Sequence, residues 1–349
     1  MLTDIFADRY ANRELWPAFT QTEVKLLMQC YLLVEDIFPY WTGEGKAIES
    51  AKRNWKSIHD RLARELGMSE LSPLAYSYTG QNGQYVSGLW NYDRVCKTFM
   101  TAQFPGSSAD RFIKERLSFV ELAFRLRGEE LNKTNAELPA NIASAKLQDA
   151  LRIKGVANKF SMSKVDMANR QNELLNSKFR ESVDEFNERL RRAGAKLNYH
   201  NGFIQIASDE LVESQIEKPF WALVADPVWK NVDIDMKEAM DRRDAKGRDP
   251  AWYAARALES TIKIISEKKG WTRGEEKGAH NFIDNLRSKK NGSFINEWEE
   301  KALKDIFTFV RNPFGHGPGS AAMPELSPTQ IDWALETCMS WAKALIERM

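Results

Sequence analysis

Residues 249–270 are DPAWYAARALESTIKIISEKKG, and their pattern predicts a helix at the centre of the C-terminal part of the chain. Its apolar side chains recur every three or four residues, which is the spacing of one buried helix face. Asp249 can cap such a helix, and Pro250 suits its first position because proline has no amide hydrogen to leave unsatisfied. Gly270 is suited to the residue that follows a helix end. The inward residues are Leu258, Ile262 and Ile265.

Three further amphipathic stretches follow, and each indicates a helix. Pro313 disfavours helical geometry in the residue before it, so the second of them is expected to end near Arg311. Ser327 and Pro328 favour the start of the last one. Four amphipathic helices joined by short connections predict a helical bundle over residues 246–349. The apolar positions of the three stretches lie within 282–286, 303–310 and 331–345.

The residues upstream of the bundle are also predicted to be mainly helical. Residues 72–88 are rich in Tyr, Gly, Ser and Asn and are interpreted as a loop. Asn201-Gly202 tolerates positive φ angles and predicts a small β-hairpin near 195–207. The fold class is therefore mainly α, a helical N-terminal region with one small β-hairpin followed by a C-terminal four-helix bundle. Helices are expected over 21–41, 51–66, 110–127, 131–166 (weakly periodic), 175–190 and, as two short ones, 220–240.

Length and composition suggest two domains rather than one, since the chain has 349 residues, of which 43% are apolar. We divide the first part further into a helical N-terminal module over 1–130 and a connecting or regulatory region over 131–245. The bundle over 246–349 follows. The charged stretch 241–247 is the candidate boundary before it.

Charge and cysteine content restrict the functional classes. The formal net charge is +1, so contact with a nucleic acid must come from local basic patches. The three cysteines, Cys30, Cys96 and Cys338, form no Cys-x-x-Cys pair and suggest buried thiols in a reducing compartment. No signal peptide is indicated, and charged residues interrupt the most apolar segment, 24–41. We therefore expect a cytoplasmic location and no membrane span.

The string that carries chemistry is RNPFGHGPG, residues 311–319, where a predicted helix gives way to a Gly-rich loop. The guanidinium of Arg311 can hold two phosphoryl oxygens and stabilise the charge that builds in a transition state. The imidazole of His316 titrates near neutrality and can take or give a proton. Such a pair suits RNA cleavage by the 2′-hydroxyl. The alternative is that Arg311 is a cation at a helix C-terminus and His316 binds backbone in a turn.

Residues 246–349 resemble the C-terminal HEPN-type domain of abortive-infection proteins. The resemblance rests on ALESTIK at 257–263, KGW at 269–271, Arg311-Asn312, and GHG at 315–317. One departure is that Pro313 and Phe314 replace more polar residues between Arg and His. Upstream segments resemble AbiJ-like proteins more loosely; they are FIKERLS at 112–118 with ELAFR at 121–125, and ERLRRAG at 188–194 with the Asn201-Gly202 turn.

The resemblance implies a metal-independent HEPN endoribonuclease that acts as a toxin-like effector in antiviral abortive infection. It implies Arg311 and His316 as the catalytic pair, with Asn312 in support, and RNA as substrate, tRNA being one candidate. It also implies a homodimer or higher homo-oligomer, because two such domains meet across a two-fold axis in the family. A separate antitoxin or a phage trigger are further candidate partners. The alternative is a non-catalytic HEPN-type module that binds RNA or protein.

Other charged residues have two interpretations each. Glu259 and Lys263 are four apart on a predicted helix and can pair. The resemblance implies that they support the active site, and the alternative is a solvent-exposed ion pair of little consequence. Two basic clusters could follow an RNA backbone, although for each alone we favour a solvated helix face. These clusters are Arg191 with Arg192, and Arg287 with Lys289 and Lys290.

No cofactor and no metal are predicted. His59, His200 and His280 share no metal-ligand spacing with any cysteine, so zinc is not indicated. There is no Gly-x-x-x-x-Gly-Lys-Ser/Thr loop for a nucleotide phosphate. The glycines at 315, 317 and 319 follow a predicted helix rather than a strand, so they are no dinucleotide fingerprint.

Overall fold

The computed structural model describes residues 4–152, 163–207, 210–315 and 325–349. Contacts divide the chain into an N-terminal unit, Met1–Ile204, and a C-terminal unit, Gln205–Met349. The described residues are mainly helical, which confirms the predicted fold class. Within these ranges, no helix combines the length and the apolar character that crossing a membrane requires.

The N-terminal unit consists of six helices in its described part, together with short antiparallel strand pairs. The helix predicted from 110 is longer than expected, because it continues through the weakly periodic residues that follow it. The Asn201-Gly202 hairpin is confirmed, with φ angles of 43° and 96° at the two turn residues. The elements are α1 Phe6–Arg9, α2 Gln21–Ile37, α3 Glu49–Glu65, β1 Ala75–Thr79, β2 Tyr85–Leu89, α4 Tyr92–Met100, α5 Ala109–Arg152, α6 Lys164–Arg192, β3 Leu197–His200 and, reaching past the unit's end, β4 Phe203–Ile206.

The interpretation of 72–88 as a loop is wrong. Strands β1 and β2 pair antiparallel, from Ala75 opposite Leu89 to Thr79 opposite Tyr85. The turn between the strands is the run GQNGQ at 80–84, and the flanking Tyr, Thr and Val residues have high β-propensity. The many turn-forming residues in this short segment led to the prediction of a loop, although they connect two strands.

A buried carboxylate joins three parts of the N-terminal unit. Glu121 of α5 is fully buried, and its oxygens accept hydrogen bonds from Arg9 at 2.6 and 3.2 Å and from Arg125 at 2.9 Å. The backbone N–H of Ile204 also donates to Glu121, at 2.7 Å. The N-terminal helix, the long helix and the second hairpin therefore converge on one charge.

The C-terminal unit packs around α10, whose inward face carries the predicted apolar residues Leu258, Ile262 and Ile265, all fully buried. Helices α9, α11 and α14 all contact it. The elements are α7 Glu210–Val212, a π-helical segment Glu213–Glu217, α8 Lys218–Val224, a 3₁₀ turn Pro227–Trp229, α9 Lys230–Asp244, α10 Pro250–Lys268, α11 Ala279–Arg287, a 3₁₀ turn Lys289–Asn291, α12 Glu297–Asp305, a second π-helical segment Ile306–Arg311, α13 Asn312–Gly315 and α14 Pro328–Glu347.

The contacts divide the chain at 204/205, whereas the sequence placed boundaries at 130/131 and 245/246. Helix α5 runs without a break through the first of these positions. Helix α9 continues into the charged stretch 241–247, and Met236 and Met240 are buried in the same core as Leu258. Charged side chains at the end of α9 are tolerated because they are paired: Arg243 donates to the buried Asp244 at 2.9 Å.

The predicted starts of α10 and α14 are confirmed, but one of the two predicted N-caps is not. Helix α10 begins at Pro250 as predicted, yet Asp249 adopts the left-handed conformation, with φ 58°, and its side chain makes no capping hydrogen bond. The predicted capping role of Asp249 is therefore wrong. Ser327 does cap α14, forming a capping box with Gln330.

Glu276 fixes the connection between α10 and α11, and we predict a pH dependence from it. Its carboxylate accepts hydrogen bonds from Asn285 Nδ2 at 2.8 Å and from the backbone N–H groups of Arg273 and Gly274 at 2.8 and 3.0 Å. These bonds, that from Asn285 foremost, lower the pKa of Glu276 from 4.5 to about 2. Because the folded-state pKa lies below the unfolded one, the stabilisation is complete above about pH 4.5 and is lost as the pH falls towards 2.

The Glu276→Gln variant should therefore melt below the wild type at neutral pH, and the difference should shrink as the pH falls through that window. Thermal melts followed by circular dichroism across the acid range would measure it. Glu275→Gln is the matched control, since Glu275 is the adjacent carboxylate and its side chain is exposed. A difference that stays constant down to pH 2 would contradict the assignment.

The three cysteines are buried free thiols, as predicted. Burial raises the pKa of Cys338 to about 12 and raises the pKa of both Cys30 and Cys96. Since the thiolate is the reactive form, none should react with Ellman's reagent in the native protein, and all three should react after unfolding. Rapid release of one equivalent of chromophore from the native protein would contradict this prediction.

Candidate functional site

The predicted catalytic arginine lies at the end of a π-helical segment. Ile306–Arg311 forms this segment, and α13 follows it directly. The π-helical segment ends at Arg311, where the sequence predicted a helix end, but the chain continues directly into α13, because Asn312 keeps helical geometry with φ −66° and ψ −37°. Pro313 is tolerated there because it falls in the first turn of a new helix, where a missing N–H costs little. A wide π turn in a helix frequently marks a functional site.

Arg311 and Lys263 share one carboxylate. Nη2 of Arg311 donates to Oε2 of Glu259 at 3.2 Å, and Nζ of Lys263 lies 2.8 Å from Oε1 of the same residue. Glu259 and Lys263 lie on successive turns of α10 and therefore on one face of that helix. This face packs against the end of the π-helical segment. The structure therefore brings together three residues that the sequence assigned to the site, two of them separated by 52 positions.

The exposure of these groups is uneven. Glu259 is buried, with 6% of its surface exposed, whereas the side chains of Arg311 and Lys263 are 31% and 40% exposed. The interpretation of Glu259 and Lys263 as a solvent-exposed ion pair is therefore wrong. Two cations around one carboxylate leave a net positive charge, and the cations face solvent while the anion does not. Such an arrangement favours the approach of an anion.

The remaining donors of Arg311 are only partly used. Nη1 donates to Asn312 Oδ1 at 3.4 Å, so the predicted supporting residue is in contact. Nε is buried and donates to no acceptor within the described ranges. A guanidinium with unused donors can bind a phosphoryl group through two parallel hydrogen bonds. The predicted partner, His316, lies outside the described residues, and so does the Gly-rich string after it.

Two residues beside the site were not singled out from the sequence. Phe282 of α11 lies beneath Lys263, whose Nζ is 5.6 Å from the ring centroid, a distance typical of a cation–π contact. His280 Nε2 lies 3.4 Å from the hydroxyl of Thr308 in the π-helical segment. Helical periodicity marks Phe282 only as apolar, and no local pattern links His280 to Thr308, since they are 28 residues apart.

The predicted basic clusters are mostly neutralised by acidic neighbours. Arg191 and Arg192 both pair with Glu188 on the surface of α6, at 2.6 Å each. Arg287 lies 3.6 Å from Glu300. Lys289 and Lys290 are exposed on the 3₁₀ turn after α11. These contacts favour solvated helix faces over an RNA track for Arg191, Arg192 and Arg287. In the part of the chain described, no cluster of three or more His, Cys, Asp or Glu side chains could hold a metal ion.

Comparison with known families gives one match. The family AbiJ N-terminal domain 4 matches residues 4–222, which include the described part of the N-terminal unit and the start of the C-terminal one. The Arg311 site lies beyond the matched region. No curated protein and no solved structure matches the chain significantly.

Proposed function

The chain belongs to the AbiJ N-terminal domain 4 family, whose members are associated with abortive infection, and from this we propose that it is a toxin-like endoribonuclease whose C-terminal unit is a HEPN domain. The observation that carries the proposal is the Arg311–Glu259–Lys263 arrangement. It provides two partly exposed cations that both contact one buried carboxylate. The proposed ligand is the phosphodiester of RNA, with tRNA as one candidate.

The proposed reaction uses the substrate's own nucleophile. The ribose 2′-oxygen attacks phosphorus, the bond from phosphorus to the 5′-oxygen breaks, and a 2′,3′-cyclic phosphate forms. One proton leaves the 2′-hydroxyl and one reaches the departing 5′-oxygen; His316 is proposed to carry one of them. Arg311 stabilises the extra negative charge on the phosphoryl oxygens. The adjacent 2′-hydroxyl is already positioned beside the phosphorus, so the enzyme need not recruit a water.

The proposed oligomer is a homodimer in which two copies of the site face one another. One chain offers one Arg311 and one His316, whereas in-line transfer benefits from groups on both sides of the phosphorus. An antitoxin or a phage component would control the activity under this proposal.

Purified protein incubated with total bacterial RNA tests the function. We expect cleavage to continue in excess EDTA and to leave a 2′,3′-cyclic phosphate, or its 3′-phosphate product, and a 5′-hydroxyl. An oligonucleotide with 2′-deoxyribose at the cut site should resist, because it lacks the nucleophile. The His316→Ala protein, prepared in parallel, controls for contaminating nuclease.

Cleavage that stops in EDTA, or DNA cleavage at a similar rate, would defeat this mechanism. The second candidate is a non-catalytic module that binds RNA or protein through the same helices. It is favoured by Pro313 and Phe314, which continue the helix after Arg311 with an apolar surface in place of polar side chains. RNA retained in a filter-binding assay but never cut would support that candidate.

A further inference from the structure

The hairpin formed by β1 and β2 differs in composition from the rest of the chain. Residues 71–92 contain no Asp, Glu, Lys, Arg or His, whereas charged residues make up 28% of the whole sequence. More than half of the segment consists of Tyr, Ser, Gly and Asn, the residues that are enriched in antibody loops that bind proteins. Because it offers no cation to phosphate, it is poorly suited to nucleic acid.

The backbone of this hairpin has open edges. Trp90 N–H donates to Leu74 O, and Gly80 N–H donates to Gln84 O, both at 2.8 Å. These bonds identify the even-numbered residues as the hydrogen-bonded pairs of the antiparallel ladder. The odd-numbered residues therefore point their N–H and C=O groups outwards. On β1 they are Ala75, Ser77 and Thr79, and on β2 they are Tyr85, Ser87 and Leu89; all six are exposed.

The edges lack the features that usually prevent an exposed strand from pairing with another chain. Neither strand contains Lys, Pro or an inward-pointing charge, and the register from Ala75–Leu89 to Thr79–Tyr85 has no bulge. An edge of this kind is a template for another strand. The hairpin is also well formed. The ring of Tyr76 lies across Gly88, where a Cβ would come within 2.7 Å of the Tyr76 hydroxyl, and its centroid is 4.3 Å from that of the Trp90 ring in a tilted arrangement.

Strand β2 carries the two most exposed large side chains on this hairpin. Tyr85 is 72% exposed and Leu89 is 69% exposed, and both lie on the same face as Ser87, the centre of the strand. An antiparallel copy of β2 centred on Ser87 would place each Tyr85 opposite the Leu89 of the other copy. Aromatic and aliphatic residues that face each other across strands stabilise a sheet. Strand β1 offers only Ala75, Ser77 and Thr79 on its outer edge.

We propose that the outer edge of β2 pairs with β2 of a second copy of this chain, giving a four-stranded antiparallel sheet in the order β1-β2-β2-β1. A second copy fits because the edge is uncharged, so two identical edges meet without repulsion, and because the Tyr85–Leu89 pairs are self-complementary about Ser87. The interface is isologous and closes on itself. It lies in the N-terminal unit and does not depend on the proposed ribonuclease.

Site-specific disulfide formation in the full-length protein tests this. The native cysteines are buried, so a cysteine introduced on the hairpin is the reactive thiol. In the proposed pairing, Ser87 faces itself with Cα atoms about 5.5 Å apart, within the range that a disulfide spans. We expect Ser87→Cys to form a covalent dimer under mild oxidation at micromolar protein, at least tenfold faster than Ser77→Cys, the matched control on β1.

Tyr85→Lys added to Ser87→Cys should slow the cross-linking at least tenfold, because it places charge in the pairing. Both serines are exposed, and circular dichroism melts would confirm that each variant is folded. Three results would overturn the proposal: equal rates for Ser87→Cys and Ser77→Cys, faster cross-linking through Ser77→Cys, and no cross-linking by either. None of them depends on RNA cleavage, so failure here is distinguishable from failure of the proposed function.

Discussion

Under the proposed function, replacing Arg311 with alanine is expected to lower the rate of RNA cleavage by about 10²–10³-fold while leaving the protein folded. The loss follows from the position of the guanidinium. Its Glu259 contact is long, at 3.2 Å, and its side chain reaches solvent, so it can turn to the phosphoryl oxygens of a bound RNA. Initial rates on a defined RNA would measure the effect, and growth of bacteria that express each variant would report it in cells.

Two further variants sharpen this prediction. Arg311→Lys should also lose most of the activity, because an ammonium cannot make the paired hydrogen bonds of a guanidinium. Arg242→Ala is the matched control: Arg242 lies in the same unit, is 34% exposed against 31% for Arg311, and pairs with one carboxylate, Glu238, at 2.6 Å. Full activity in a folded Arg311→Ala protein would remove Arg311 from the site.

Replacing Glu121 with alanine is expected to destabilise the protein by about 3–5 kcal/mol, the cost of breaking a buried ion pair by removing one partner. Arg9 and Arg125 would keep their charges with no carboxylate between them, and the N–H of Ile204 would lose its acceptor. Urea unfolding followed by circular dichroism would measure the change in free energy. Glu121→Gln should also destabilise, since the amide restores the shape but not the charge.

Glu188→Ala is the matched control for this experiment. Glu188 also pairs with two arginines, Arg191 and Arg192, but on the surface of α6, where solvent screens the interaction. Its removal should leave the unfolding midpoint nearly unchanged. Equal midpoints for the Glu121→Ala and wild-type proteins would show that the buried cluster does not stabilise the N-terminal unit.

The candidate site was predictable in its residues but not in its geometry. Arg311, Glu259 and Lys263 were identified from motif and resemblance, and the four-residue spacing on α10 predicted the Lys263 pairing. The burial of Glu259 and its contact with Arg311 depend on how α10 packs against the π-helical segment. No local pattern encodes that contact, because the two residues are 52 positions apart.

Features that depend on residues close together in the chain could be predicted from the sequence. The apolar spacing of α10, the start of α14 at Pro328 and the tight turn at Asn201-Gly202 follow from steric and hydrogen-bonding preferences within a few residues. The buried cysteines also follow from composition, because cysteine is among the most frequently buried side chains.

Features that depend on residues far apart in the chain became visible only in the packed structure. It placed α9 in the core of the C-terminal unit, because the buried faces of α9 and α10 cover each other. It neutralised Arg287 with Glu300 of another helix. In the folded chain, Arg9 and the backbone N–H of Ile204 both donate to Glu121, although each is more than 80 positions from it in the sequence. Burial and charge pairing are properties of the packed chain. The sequence around a charged side chain does not show which distant residues will bury it or which opposite charge will pair with it.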